Sequence, residues 1–364
     1  MSTFFPHCLP LLIGSLPLTN HQEAVKIILR HSPAIPLWPQ LPKCAREGMV
    51  RQFLSGFPGL VDEDKRFWIA TDAADFATEM TSFYEDFIRA EAEPDFLATS
   101  RFALTSDSAG GFAALLDGIV RQDQPRVTLK GQVTGPVTTG IGARDSRGNA
   151  IFYDDNLRDM LIKHLAMKGR WQVQQLSRLS KGSKPIVFID EPGMVSFGST
   201  AFTGVSGEMA SAAVGEVIDA IKQAGGLAGV HICANGDWGP VLDSATDILS
   251  FDAYSYFANI SLYADALKAF LAGGGLLAWG IVPTGNPLSV TEEDSDSLFA
   301  RWLKQVHSLS TLGISRETIF SQTFIAPACG TGSLPVDLAI KVLEMTTEVS
   351  LRCRQYGKRH LAPQ

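Results

Sequence analysis

The stretch Gly229-Val230-His231-Ile232-Cys233-Ala234-Asn235 is the point around which this sequence is organised. Residues 227–230 are apolar or small, which predicts a buried strand that runs into a histidine and a cysteine. In a strand, residues i and i+2 point to the same side, so His231 and Cys233 are expected to aim an imidazole and a thiol at one point. Nitrogen and sulfur ligands in tetrahedral geometry suit zinc. A further ligand must come from elsewhere in the chain.

Apolar runs and helix-like stretches alternate on both sides of this segment. The runs predict eight strands, at residues 9–13, 34–37, 126–130, 185–189, 227–233, 247–252, 276–282 and 318–325. The helix-like stretches lie at residues 20–31, 156–179, 207–224, 261–271, 291–309 and 336–354. Alternation of this kind predicts an α/β protein with a parallel sheet. Eight units favour a closed TIM (β/α)8 barrel, because the open doubly wound alternative lacks a Gly-x-Gly-x-x-Gly after its first strand.

The whole chain, residues 1–364, is predicted to form a single (β/α)8 catalytic domain. Residues 43–121 follow the second strand and are mostly helical in pattern, with helices expected at residues 73–92 and 110–121. This segment is therefore predicted to be a helical elaboration of the barrel. A lid or a docking face for a partner protein could lie there, with Trp68, Phe83 and Tyr84 as candidate contacts, although helices packed on the side of the barrel are the simpler interpretation.

Composition excludes several classes of function. The net charge is −7 and no Lys/Arg-rich run occurs, so neither a nucleic acid nor a polybasic membrane contact is expected. No run of about 18 apolar residues predicts a transmembrane helix, and the first residues do not resemble a secretory signal, which indicates a cytoplasmic protein. Five widely spaced cysteines argue for thiols or metal ligands rather than a disulfide framework.

Polar residues follow the predicted strands at the end where barrel enzymes carry their active sites. Cys329, after the last strand, is the predicted third metal ligand. Asp252 is a candidate fourth ligand or a partner of the ligands, with capping of the next helical turn as the alternative. Asp190 and Glu191 form a carboxylate pair that is costly to bury unless it binds something, although a helix-capping loop would also explain it. Chance also produces His-x-Cys pairs, and a buried cysteine is usually a small apolar residue.

Four motifs together resemble a known family. In chain order they are Ile13-Gly14-Ser15-Leu16-Pro17, Ile189-Asp190-Glu191-Pro192, His231-Ile232-Cys233 and Cys329-Gly330. They are similar to motifs of the C-terminal catalytic barrel of cobalamin-independent methionine synthase. That barrel shares a superfamily with uroporphyrinogen decarboxylase and the zinc-dependent coenzyme M methyltransferases. The order and the strand-end positions make the resemblance specific over most of the chain.

The resemblance implies a role for each motif. Ile13, Gly14 and Ser15 would hold the carboxylate of homocysteine, and Asp190 would hold its ammonium group, with Asp190 and Glu191 as the catalytic carboxylates. The zinc ligands would be His231, Cys233 and Cys329, while the glutamate ligand of the family falls at the shorter Asp252.

The methyl donor is where the sequence departs from the family. The family places a general-acid histidine after strand seven, but residues 280–287 contain none, and its N-terminal barrel, which helps to hold folate, has no counterpart here. Methyltetrahydrofolate needs a proton on its leaving nitrogen, whereas a corrinoid leaves as unprotonated cobalt(I). We therefore expect a zinc-dependent thiol methyltransferase that uses methylcobalamin or a methylated corrinoid protein as donor and homocysteine as acceptor. Another thiol such as coenzyme M, a decarboxylase of the uroporphyrinogen type, and a non-catalytic zinc-bearing scaffold are the alternatives.

Overall fold

A computed structural model describes residues 4–361 apart from 65, 123–124, 197–204 and 237. Its strands are β1 (Leu60–Asp62), β2 (Phe67–Ile69), β3 (Lys130–Thr134), β4 (Ile186–Asp190), β5 (Leu227–Ile232), β6 (Ile248–Phe251), β7 (Leu276–Val282) and β8 (Thr323–Pro327). Its α-helices are α1 (His21–His31), α2 (Phe76–Ala92), α3 (Pro94–Thr99), α4 (Gly110–Arg121), α5 (Pro136–Gly142), α6 (Asp155–Ser177), α7 (Gly207–Gln223), α8 (Gly239–Leu242), α9 (Ala253–Ile260), α10 (Ala264–Ala272), α11 (Pro287–Glu292), α12 (Ser295–Thr311), α13 (Arg316–Ser321) and α14 (Val336–His360).

The parallel sheet runs from β3 to β8 in chain order. Two extended segments near the start of the chain complete its ring, and we call residues 10–15 the first barrel segment and residues 36–40 the second. The first segment joins β8, because the amide of Leu11 donates to the carbonyl of Ile325 at 2.9 Å. The second segment joins the first through Gln40 N and Gly14 O, 3.1 Å apart, and it joins β3 through Lys130 N and Pro36 O, 2.9 Å apart. The predicted (β/α)8 barrel is confirmed.

The interior of the barrel follows from the two-residue period of its strands. In β4, Ile186 and Phe188 belong to the inner apolar cluster, whereas Val187 and Ile189 pack in the outer cluster with the helices. The next inward position on β4 is Asp190, so the polar layer lies directly above the apolar core. The same alternation carries β5 from Gly229 to His231. A small residue is needed at Gly229 because an added Cβ would lie 2.6 Å from the Phe188 ring.

Three predicted elements of the barrel differ from the structure in their boundaries. The strand at 126–130 actually pairs over Lys130–Thr134, because its inward residues are polar and the apolar pattern missed them. The segment at 318–321 is helical, since Ser315 caps α13 by accepting from Thr318 N. The single helix at 291–309 is two helices, because Asp294 caps α12 rather than extending one acidic first turn.

The predicted helical elaboration contains the hairpin β1–β2 and helices α2 to α4. Phe83 is fully buried and packs against Phe57 and Phe102, so it cannot contact a partner, and that suggestion was wrong. The Tyr84 hydroxyl donates to Asp159 on α6 at 2.7 Å. These contacts fit helices packed on the side of the barrel. Within the described residues, none of the helices combines the length and the apolar character needed to cross a bilayer.

The junction between this elaboration and the barrel yields a stability prediction. A Cβ added at Gly111 in α4 would lie 1.9 Å from the backbone carbonyl oxygen of Pro39, which cannot move freely. We expect Gly111→Ala to lower the free energy of unfolding by about 1–3 kcal/mol through this overpacking. Gly215→Ala in α7 is the matched control, because nothing lies within 4 Å of its added Cβ. Better helix propensity should make that variant roughly 0.5–1 kcal/mol more stable in denaturant unfolding. Equal midpoints for the two variants would contradict the packing described here.

Candidate metal centre and substrate cavity

Three donor atoms predicted from far-apart parts of the sequence meet at the carboxyl end of the barrel. One ring nitrogen of His231 and the sulfurs of Cys233 and Cys329 all lie within 4.8 Å of one another. His231 is the penultimate residue of β5, Cys233 directly follows that strand, and Cys329 follows β8. His231 is buried and the two cysteines are partly buried. Closure of the barrel is therefore what unites the two halves of this cluster.

The orientation of the His231 ring is fixed by a neighbour on the next strand. Nδ1 of His231 lies 2.9 Å from the Ser250 hydroxyl, and the two residues are partners in the β5–β6 register. Nε2 is buried and has no hydrogen-bond partner among the described residues. A buried polar atom of this kind calls for a ligand, since burial without a partner costs free energy. Sequence reasoning missed Ser250, although the inward period of β6 (residues 248, 250 and 252) could have indicated it.

The donor set fits zinc. Tetrahedral zinc with bonds of about 2.0–2.3 Å places neighbouring nitrogen and sulfur ligands roughly 3.5–3.8 Å apart. Because the three donor atoms all lie within 4.8 Å of one another, side-chain adjustments of no more than about 1 Å would bring them to these separations. Three protein ligands leave the fourth position for a substrate, as in catalytic zinc sites.

The thiols and the imidazole perturb one another electrostatically. The adjacent Cys329 thiol lowers the pKa of Cys233, whereas the adjacent Cys233 thiol and burial raise the pKa of Cys329. Burial lowers the pKa of His231, but the neighbouring Cys329 and Asp190 raise it by more, so its pKa lies above the usual value. A thiol with a lowered pKa beside an imidazole with a raised pKa can release protons when a cation binds in their place.

Asp252 lies near this group but outside the set of three close donors. Its carboxylate accepts from the amide of Ser255 at 2.8 Å and caps α9. Burial raises its pKa despite these backbone contacts. Capping was the alternative to metal ligation, and the hydrogen bond favours it; ligation by Asp252 stays a prediction.

Asp190 faces a cavity of about 150 Å³ that adjoins the cluster. Its Oδ1 is buried and has no hydrogen-bond partner within the described part of the chain. Burial raises its pKa, and the charges of His231 and Lys130 act in the opposite direction. Lys130 is itself fully buried, which lowers its pKa to about 8, and its Nζ donates to the carbonyl of Ile13 at 2.5 Å. The unpaired oxygen of Asp190 is thus free to accept from a ligand in the cavity.

Glu191 has a different environment from its neighbour. One carboxylate oxygen accepts from Val137 N at 2.8 Å, and the other accepts from Thr138 N at 2.9 Å and from the Thr138 hydroxyl at 2.7 Å. Burial raises its pKa to about 7, although these donors favour the ionised form. Both oxygens are engaged at the start of α5, and Glu191 does not line the cavity. A catalytic role for Glu191 stays a prediction, and these contacts indicate a positioning role instead.

The segment Ile13-Gly14-Ser15 forms part of the cavity wall next to β8, the strand that Cys329 follows. Ile13 and Ser15 line it, and Gly14 lines a smaller adjoining cavity. A Cβ at Gly14 would lie 3.0 Å from the Gln40 side-chain oxygen, so a larger residue there would have to displace the Gln40 amide. The Ser15 hydroxyl accepts from Gly332 N at 3.2 Å and keeps its own hydrogen for another acceptor. Substrate binding by these residues stays a prediction.

The cavity also includes residues that sequence reasoning passed over. Gln40, at the end of the second barrel segment, lines it, whereas Trp38 is buried and donates to Gln172 at 2.9 Å. Glu47 and Met49, from the loop after the second barrel segment, complete one wall. Their positions carry no periodic signal, because a loop brings them over the barrel mouth.

No family model matches this chain. A methionine synthase from Methanocaldococcus jannaschii is 25% identical over 236 residues, which are 64% of this chain and 67% of that protein. The structure of a B12-independent methionine synthase from Shewanella sp. W3-18-1, in complex with selenomethionine, superposes with a TM-score of 0.56 and 13% sequence identity. The match covers 97% of this chain and 99% of that one, and at this identity it shows the fold. The predicted resemblance to the methionine synthase barrel is confirmed.

The role of Glu191 can be tested by stability. Glutamine carries an NH2 group where Glu191 has its second carboxylate oxygen. In Glu191→Gln that NH2 would face a backbone N–H donor, so a buried donor would lose its acceptor. We expect the free energy of unfolding to fall by about 1–3 kcal/mol. Glu208→Gln, in the exposed first turn of α7, is the matched control and should change stability by less than about 0.5 kcal/mol. An unchanged Glu191→Gln midpoint in chemical denaturation would show that the contacts to α5 do not stabilise the fold.

Proposed function

We propose that this chain is a zinc-dependent thiol methyltransferase that forms methionine from homocysteine, with a methyl-corrinoid as donor. The observation that carries the proposal is the meeting of His231, Cys233 and Cys329 beside a cavity that ends in Asp190. The similarity to a methionine synthase over 236 residues supports the reaction class. A cytoplasmic location stays a prediction from the sequence.

The metal would be held by His231, Cys233 and Cys329. Zinc bound there would supply a Lewis acid that lowers the pKa of an incoming thiol, which is about 8.5 when free, so that the thiolate forms at neutral pH. Ser250 would keep Nε2 of His231 directed at the ion through its hydrogen bond to Nδ1. Metal-binding histidines commonly form such a hydrogen bond through their other ring nitrogen.

The cavity would orient the rest of the substrate. The unpaired Oδ1 of Asp190 would accept from the ammonium group of homocysteine. The Ser15 hydroxyl, with its free hydrogen, would donate to the carboxylate at the other side of the cavity. Lys130 would keep the turn at Ile13 in place through its 2.5 Å bond to the Ile13 carbonyl.

The choice of methyl donor depends on whether its leaving group must be protonated at the site. Transfer of a methyl group from a corrinoid to the substrate thiolate would leave the electron pair of the broken bond on cobalt, so no residue of this chain would have to protonate a leaving group. A folate donor would need a general acid at its leaving nitrogen. Among the described residues that line the cavity, the one histidine is His231, which the metal would occupy. The site is therefore better suited to a corrinoid than to a folate.

Two observations bear on rival substrates. Coenzyme M has no ammonium group and would leave the Asp190 carboxylate without a charge to pair with. A uroporphyrinogen-type decarboxylase should bind several carboxylates with arginines, but the described residues lining the cavity include none.

The proposal is tested by a turnover assay with the zinc-loaded protein. We expect methionine to form from homocysteine and methylcobalamin, and at least tenfold more slowly from methyltetrahydrofolate, since the described cavity lining holds no histidine besides the candidate ligand His231 to protonate its leaving nitrogen. Mercaptoethanesulfonate in place of homocysteine is the matched acceptor control and should react more slowly, because it cannot pair with Asp190. Mass spectrometry of the methylated thiols measures each rate. Equal rates for both thiols would remove the assigned role of Asp190, and no methylation with any pair would remove the function.

The metal site is tested by its ligands. We expect Cys233→Ser and Cys329→Ser each to bind zinc at least roughly 10–100-fold more weakly, because each removes a thiolate ligand. Substitutions of residues that only orient a metal ligand already weaken binding by about this factor. Competition with a chromophoric chelator measures the affinity. Cys353→Ser, which changes a buried thiol of α14, is the control and should retain zinc. Full retention in both ligand variants would exclude this centre.

A further inference from the structure

A second group of potential metal ligands lies at the rim of the barrel. His21, Cys44 and Glu47 each offer one donor atom, and these three atoms lie within 4.8 Å of one another. None of them belongs to the centre described above. His21 opens α1, after the first barrel segment, whereas Cys44 and Glu47 lie in the loop after the second segment.

Two of these ligands are already held in place. Glu47 is 3% exposed, and its Oε2 accepts from Leu41 N at 2.9 Å, which leaves Oε1 directed at the Nε2 of His21, 2.6 Å away. The His21 ring packs on Gly110, where an added Cβ would lie 2.9 Å from it. The Cys44 sulfur is only weakly engaged, 3.9 Å from the carbonyl oxygen of Thr19. A buried carboxylate and an anchored imidazole thus converge beside a thiol that is not otherwise committed.

We propose that His21, Cys44 and Glu47 form a second zinc-binding site. One imidazole, one thiolate and one carboxylate are three protein ligands of the kinds that zinc accepts, and water from the partly exposed rim completes the tetrahedron. Binding displaces the thiol proton of Cys44 to solvent, and the ring of His21 carries its single proton on Nδ1. Bonds of about 2.0–2.2 Å to nitrogen and oxygen require the 2.6 Å contact to open to roughly 3.3 Å.

Glu47 connects this rim site to the substrate cavity. The same carboxylate side chain lines the cavity together with Cys233 and Cys329. An ion bound at the rim holds Oε1 of Glu47 and fixes that part of the cavity wall. Binding at the rim does not depend on the function proposed above, because the two sites share no ligand.

The sharpest test uses cobalt(II) in a protein whose first centre has been disabled. In the Cys233→Ser, Cys329→Ser double variant, a thiolate at the rim can come from Cys44. We expect this variant to bind cobalt(II) with a thiolate-to-cobalt charge-transfer absorption, and the addition of Cys44→Ser to abolish that absorption. His21→Gln should weaken cobalt binding at least tenfold, whereas His307→Gln, an exposed histidine, is the matched control and should not. Circular dichroism confirms that each variant is folded.

Zinc stoichiometry of the otherwise unchanged protein gives a second readout. We expect two equivalents in the parent chain and one in Cys44→Ser and His21→Gln. When Cys233→Ser is added to Cys44→Ser, loss of the last zinc equivalent reports on the first centre alone. Failure of one site is therefore distinguishable from failure of the other. One zinc equivalent in the parent chain that Cys44→Ser still retains would overturn the rim site. A charge-transfer absorption that survives Cys44→Ser in the Cys233→Ser, Cys329→Ser double variant would overturn it as well.

Discussion

The contact between Nδ1 of His231 and the Ser250 hydroxyl is the interaction on which the candidate site depends. It arises because β5 and β6 pair in a register that sets these residues side by side on the inner face of the barrel. It occupies Nδ1 and leaves Nε2 without a partner among the described residues, so Nε2 is the ring nitrogen available to a ligand. A rotated ring would direct its lone pair away from the cluster. The chemistry therefore rests on strand register as much as on the identity of the histidine.

The layer around this contact is polar and buried, which is costly unless each group has a partner. Lys130 meets this demand through the Ile13 carbonyl and the Phe188 ring, 4.8 Å from its Nζ. Glu191 meets it through three donors at the start of α5. Asp190 and His231 are the exceptions, since each keeps a buried atom without a partner among the described residues. Unpaired atoms that face one cavity mark the place where a ligand replaces the missing contacts.

In the proposed function, one barrel would separate two tasks, the binding of a metal ion and the binding of the amino-acid part of the substrate. The sulfur and nitrogen donors lie at one end of the cavity, and the groups suited to an amino acid lie beside them at Asp190 and Ser15. In the proposed function, a thiol held by both would be positioned with its sulfur towards the methyl donor, which would lower the entropic cost of methyl transfer. Glu47 contributes to the same wall from the loop that also carries Cys44. The proposed rim metal site and the proposed substrate cavity would thus share this loop.

The sequence by itself determined the barrel class, most of the helices and the three donors, because alternation of apolar runs and strand-end positions are local signals. The boundaries of β3 and α13 escaped it, because pairing partners and a capping serine overrode the apolar pattern there. Only the tertiary structure decided that Glu191 binds α5 while Asp190 faces the cavity, since adjacent strand-end residues point to opposite sides. It also brought Ser250 to His231 and His21 to Glu47. Those contacts join residues 19 and 26 positions apart, and no local pattern encodes a distance between separate elements.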